Sequence, residues 1–99
     1  MEKRRFGRTG LSVGVLGFGC GAVGGLMVNA SPADQERAVA WAIDQGINYF
    51  DTAAQYGNGR SETNLGRVLR ALKAQILLRL VRNLTVDLFQ VHGFDFYLR

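Results

Sequence analysis

At 99 residues, 47% of them hydrophobic and 20% charged, with a net charge of +4, the chain has the make-up of a globular domain with one modest core. A single cysteine, Cys20, excludes an internal disulfide framework, and no apolar run approaches the roughly 20 residues of a membrane helix, so no membrane partner is expected. The basic residues are spread along the chain apart from Lys3-Arg4-Arg5 and Arg8, and no nucleic-acid module accompanies them, so no nucleic-acid partner is expected either.

The basic start is followed by an apolar stretch that glycines interrupt, without a convincing cleavage site. A secretory leader is therefore not expected, and the cytoplasm is the expected location. Lys3 to Phe6 and Leu11 to Val13, joined through Gly7-Arg8-Thr9-Gly10, predict a β-hairpin. Val15 to Cys20 then reads as a buried strand, and Gly21 to Asn29, with three glycines, as a loop. The glycines at 17, 19, 21, 24 and 25 lead into that loop rather than directly into a helix, which argues against a dinucleotide-binding Rossmann fingerprint.

Ser31-Pro32-Ala33-Asp34 is a helix start: a capping hydroxyl, a proline suited to the first helical position, and an acid that complements the helix dipole. Ala38, Val39, Ala42 and Ile43 share one apolar face, and Gly46 can end the helix in a left-handed conformation. Ile47 to Phe50 predicts the next strand, and the order strand, helix, strand implies a parallel βαβ unit.

Ser61 is expected to cap a second helix with Glu62 in its first turn and Leu65, Val68, Leu69 and Leu72 as its stripe. Ile76, Leu80 and Leu84 prolong that stripe, and no glycine or proline occurs between Arg67 and Gly93. The spacing thus predicts one long helix from about Ser61 to about Arg82.

The strand that reaches Phe50 runs straight into a polar, glycine-rich loop carrying Asp51 and Tyr56. Two ionisable groups at the carboxyl end of a strand are where α/β proteins collect their chemistry. Taken singly, Asp51 could cap or turn the loop, Tyr56 could be a half-buried amphipathic aromatic, and His92 could be a satisfied loop histidine. Cys20 reads as a small buried hydrophobe, and no His, Cys and carboxylate cluster has metal-ligand spacing, so no metal is expected.

Taken together, Phe50-Asp51-Thr52-Ala53, Tyr56-Gly57 and Gly59-Arg60-Ser61-Glu62 resemble the aldo-keto reductases, NADPH-dependent enzymes built on a (β/α)8 barrel. Arg5 to Val13 with Leu16-Gly17-Phe18-Gly19-Cys20 resembles that family's amino-terminal hairpin and first barrel strand, and Val86 to His92 its fourth strand. The resemblance implies an α/β fold: one incomplete barrel domain over residues 1–99, with the hairpin, about three parallel strands and two helices, since a full barrel takes about 250 residues.

It further implies that Tyr56 donates the proton during reduction of a small-molecule carbonyl, that Asp51 supports it, and that His92 orients the carbonyl. The same resemblance puts Gly21, Ala22 and Asp51 along the nicotinamide of NADPH. The family's third-strand lysine follows an apolar run; here Lys73 precedes Ile76-Leu77-Leu78, Lys3 lies in the hairpin, and there is no other lysine. The segment around Leu78-Arg79 reads as joined across an internal deletion. The expected outcome is a chain of weak or no activity, and the alternative is a noncatalytic barrel piece that self-associates through open sheet edges or pairs with another chain.

Overall fold

The computed structural model describes residues 1–21, 25–82 and 85–92. Strands β1 (Lys3–Arg5) and β2 (Ser12–Gly14) form the expected antiparallel hairpin. Asn48 ties it to the rest of the molecule: its side chain accepts from the Gly14 N–H at 2.7 Å and donates to the Ser12 carbonyl at 3.0 Å. Gly14 allows the close approach, because a Cβ there would lie 2.9 Å from the Gly46 carbonyl oxygen.

Strand β3 (Phe18–Gly19) is much shorter than the buried strand expected over Val15 to Cys20. Val15 and Leu16 are 48% and 59% exposed, since the sheet offers them no partner. The stretch expected to be loop throughout contains a single helical turn, α1 (Leu26–Asn29), entered through Gly25 at φ +70°. Helix α2 (Pro32–Asp44) starts as its sequence requires, with Ser31 Oγ accepting from the Asp34 N–H at 3.2 Å and Pro32 in the first turn. Gly46, at φ +95°, turns the chain toward β4 (Tyr49–Ala53).

A 3-10 turn (Tyr56–Gly59) leads into α3 (Arg60–Leu72), whose N-cap is Gly59. Ser61 is thus not the cap: it lies inside the first turn, fully buried, and spends its hydroxyl on tertiary contacts.

The expected long helix is not formed. Helix α3 stops at Leu72, and Gln75–Arg82 is strand β5, paired with β4 over five residues. Lys73, the last helical junction, adopts φ +51°, which costs a non-glycine residue roughly 1–2 kcal/mol. Burial decides against that cost. Ile76 is only 4% exposed in the strand, and burying such a side chain contributes about 1.5–3 kcal/mol, while pairing satisfies the β4 edge as well. Ten more helical residues would project about 15 Å beyond α2, which has the same 13-residue length as α3, with nothing to pack against.

Strand β6 (Thr85–His92) follows β5 after two intervening residues. A parallel neighbour would need a crossover of a dozen or more residues, so β6 pairs antiparallel to β5. The sheet order is β3-β4-β5-β6, three strands parallel and the last reversed. The core cluster joins one face of this sheet, through Phe50 and Ile76, to α2 through Val39 and to α3 through Leu65, Val68 and Leu69; Met27 of α1 and Cys20 complete it.

Candidate active site

The alternation of β4 divides its residues between two faces. Phe50 and Thr52 are fully buried toward the helices, while Tyr49 and Asp51 are half-buried on the opposite, open face. Phe50 stacks on Phe18 with ring centres 5.0 Å apart.

Behind Asp51 lies a closed hydrogen-bond chain. Ser61 Oγ donates to the Cys20 carbonyl at 2.8 Å, so the Thr52 hydroxyl, 2.7 Å from Ser61 Oγ, supplies its own proton to that oxygen. The Cys20 N–H in turn donates to the Asp51 carbonyl at 2.9 Å. The β3 end, β4 and α3 are thereby held in one position around the backbone of Asp51.

On the open face Asp51 is paired. Arg79 of β5 stands directly opposite it in register, and one guanidinium nitrogen, Nη1, donates to Oδ1 at 3.1 Å and Oδ2 at 3.2 Å. Both side chains keep about a third of their surface in solvent, 37% and 36%. Sequence reasoning missed Arg79; the signal was a lone charge inside the apolar run Ile76-Leu77-Leu78-Arg79-Leu80-Val81.

Tyr49 sits two residues before Asp51 on the same face, its ring 5.5 Å from Phe6 and 3.1 Å from where a Cβ on Gly17 would be. Burial raises its phenol above the ordinary value, the Asp51 carboxylate adds to the rise, and Arg79 opposes it. Burial, helped by Asp51, pushes the Cys20 thiol up to about 12, which keeps it protonated at neutral pH and removes it as a nucleophile.

Tyr56 opens the 3-10 turn beyond the carboxyl end of β4, and its ring lies 3.7 Å from the Cβ position of Gly21. Gly19, opposite Asp51 in register, has nothing within 4 Å of its Cβ position. Gly19 thus leaves open space beside Asp51, which Arg79 pairs, and Tyr56 packs against Gly21 two residues further along the chain. Ala22, expected along the nicotinamide, lies outside the described residues.

His92 is not brought to this corner. The antiparallel register sets it opposite Gln75, four residues before Arg79 along β5 and hence about 13 Å down the strand. The two-residue link is the cause, since it forces β6 to run back toward the end where the parallel strands begin. Lys73 is equally remote: it terminates α3 and lines a depression with Ala40, Ile43, Asp44 and Leu72.

A second buried network was also invisible in the sequence. Gln35, 1% exposed, donates to the Leu26 carbonyl at 2.9 Å and accepts from Arg67 at 2.5 Å, while Asn64 donates to the Met27 carbonyl at 2.8 Å. These bonds clamp α1 to α2 and α3, which gives a four-residue helix the support that its length denies it. Among the described residues no group of three or more His, Cys, Asp or Glu could hold a metal, and no helix is long and apolar enough to cross a membrane.

Parallel strands with crossover helices on one face, and ionisable side chains at and just beyond the strand ends, are the architecture of a partial (β/α)8 barrel. Comparison with known proteins makes the assignment specific. The sequence pattern of the aldo/keto reductase family matches residues 15–82, and the chain belongs to that family.

It is 49% identical over 69 residues to pyridoxal 4-dehydrogenase of Microbacterium luteolum, covering 70% of this chain and 20% of that protein. Among solved structures it resembles an aldo-keto reductase from Bacillus halodurans in its holo form, with a TM-score of 0.59 and 34% identity over 71% of this chain and 22% of the other. It also resembles glycerol dehydrogenase of Gluconobacter oxydans, with a TM-score of 0.65 and 26% identity over 90% of this chain and 30% of the other. The chain thus spans between a fifth and a third of the relatives it matches.

Proposed function

We propose that this chain carries the amino-terminal part of an NADPH-dependent carbonyl reductase site, with Tyr56 as proton donor and Asp51 as its supporting carboxylate, and that the 99 residues alone are weak or inactive catalysts. The observation that carries the reading is the placement of Asp51 within β4, with Gly19 opposite it, and of Tyr56 just past its carboxyl end against Gly21, in a member of the aldo/keto reductase family.

The residues present fit one edge of a nicotinamide. The space over Gly19 is open, and the Tyr56 ring stands at van der Waals distance from the Cβ position of Gly21. NADPH, when bound, supplies the hydride to the substrate carbon. Tyr56 would give its phenolic proton to the carbonyl oxygen as negative charge develops there, and Asp51 would help hold the ribose or amide side of the nicotinamide.

Two features keep activity low in this reading. No lysine lies beside Tyr56, and the resemblance makes a neighbouring lysine the group that assists the phenol in giving up its proton. His92, expected to orient the carbonyl, is held at the other end of the sheet. The natural substrate is a small carbonyl compound, and the cytoplasm is the proposed location.

Titration of NADPH by fluorescence, with turnover of an aromatic aldehyde, tests the proposal. The expected result is weak or undetectable binding and slow NADPH consumption. Saturable binding at micromolar NADPH would overturn the weak-catalyst part, and identical behaviour of Tyr56→Phe with measurable turnover would overturn the assignment of the donor.

The open sheet favours a second reading. Among the described residues, strands β3 and β6 each have one neighbour, which leaves an edge unpaired at either side of the sheet, and such edges recruit further strands. A noncatalytic piece that self-associates, or that pairs with a chain supplying the rest of a barrel, follows from this. Light scattering after size exclusion reads the first directly, whereas the second predicts turnover only on mixing.

A further inference from the structure

We propose that Arg79 is a positioning residue of this site, fixing the Asp51 carboxylate on the open face of the sheet that it shares with the Tyr49 phenol. The proposal rests on the reading of Asp51 given above.

Three observations carry it. Arg79 and Asp51 are register partners on adjacent parallel strands, so their side chains leave the sheet on the same face and meet without any long reach. One nitrogen of the guanidinium serves both carboxylate oxygens, at 3.1 and 3.2 Å, which holds the carboxylate plane in place. The backbone of Asp51 is fixed independently by the Cys20 N–H, so the ion pair is left to govern the orientation of the side chain alone.

Tyr49 is the phenol that shares this face. Among the described residues, the charged groups acting on it are Asp51 from its own strand and Arg79 from β5, whereas the hairpin side presents Phe6 and the β3 side presents Gly17, neither of them titratable. Asp51 raises the phenol's proton affinity and Arg79 lowers it, so the two charges report on each other through one chromophore. Tyr56 does not serve as this reporter, since it packs over Gly21 beyond the end of the strand. Arginine suits the task because its guanidinium stays charged across the range in which a phenol titrates.

The test is an absorbance titration of tyrosinate in the full 99-residue chain, with Tyr49→Phe identifying the contribution of Tyr49. Arg79→Gln is expected to move the Tyr49 midpoint upward, Asp51→Asn to move it downward, and Arg79→Lys to leave it near the parent value. An unmoved midpoint in Arg79→Gln, with unchanged far-ultraviolet circular dichroism, overturns the proposal. Should Arg79→Gln fail to fold, Asp51→Asn decides alone, and an unmoved midpoint there overturns it equally. The readout needs neither NADPH nor substrate, so loss of the reductase reading and loss of this inference are separate outcomes.

Discussion

The two faces of β4 are built to different rules. Toward the helices, Phe50 and Thr52 are fully buried, one in a stacked aromatic pair and the other in a closed hydroxyl chain. Toward the open side, Tyr49 and Asp51 keep part of their surface in water and interact through charge. One strand of five residues therefore carries most of its stability on one side and its chemistry on the other. Changes on the two sides should separate into losses of folding and losses of electrostatic tuning.

Phe50→Ala should break the comparison most severely. Removing a fully buried phenylalanine typically costs about 3–5 kcal/mol, a large part of a small domain's margin, and denaturant titration is expected to show a chain that is mostly unfolded.

High pH comes next. Cys20 is pushed from the ordinary 9.0 to about 12 in the folded chain, so the folded state binds its proton more tightly than the unfolded state does. The stability linked to Cys20 is therefore complete below about pH 9 and is lost as pH rises toward 12, and Cys20→Ala should flatten that decline in melts taken across the window. A thiol reagent at pH 8 should label the native protein slowly and the denatured protein at once.

Ser61→Ala deprives the Cys20 carbonyl of its donor and Thr52 of its acceptor, and burial leaves both without water, so a loss of about 1–3 kcal/mol is expected by chemical denaturation. Ser31→Ala removes the cap of α2 at a cost of about 1 kcal/mol, measurable in the same way. Smallest on this scale is Arg79→Gln. Its ion pair is about one-third exposed, so less than about 1 kcal/mol of stability should go with it. A larger loss would mean that the open face contributes to folding as the covered face does.

In the amino-terminal two-thirds of the fold, the hairpin, α2 and β4 were legible because their signals are local, whereas the shortness of β3, the turn α1 and the Gly59 cap of α3 were not. Ser31, Pro32 and Gly46 bound α2 without reference to anything distant, and Gly7 and Gly10 mark the hairpin turn. The segment after Leu72 was not, because leucine and isoleucine at helical spacing serve equally well in a strand, and the stop is made by Lys73, a residue that carries no such mark. The deciding fact was the vacant edge of β4, which belongs to tertiary structure.

The same distinction runs through the site. Asp51 and Tyr56 could be singled out because they sit in one short stretch of chain. Arg79 meets Asp51 only through strand register, 28 residues away, and the buried role of Ser61 depends on a carbonyl 41 residues distant. His92 shows the converse: its strand was recognised, but direction was not, and direction sets which rim of the sheet a residue reaches.

The reversal at β6 also governs how any longer polypeptide could be accommodated. In a closed barrel every strand delivers the chain to the same rim, and successive units accumulate there in one rotational sense. Strand β6, eight residues long, delivers it to the rim opposite Tyr56, so a following parallel strand could be laid down directly, but its predecessor would present an edge of the wrong polarity.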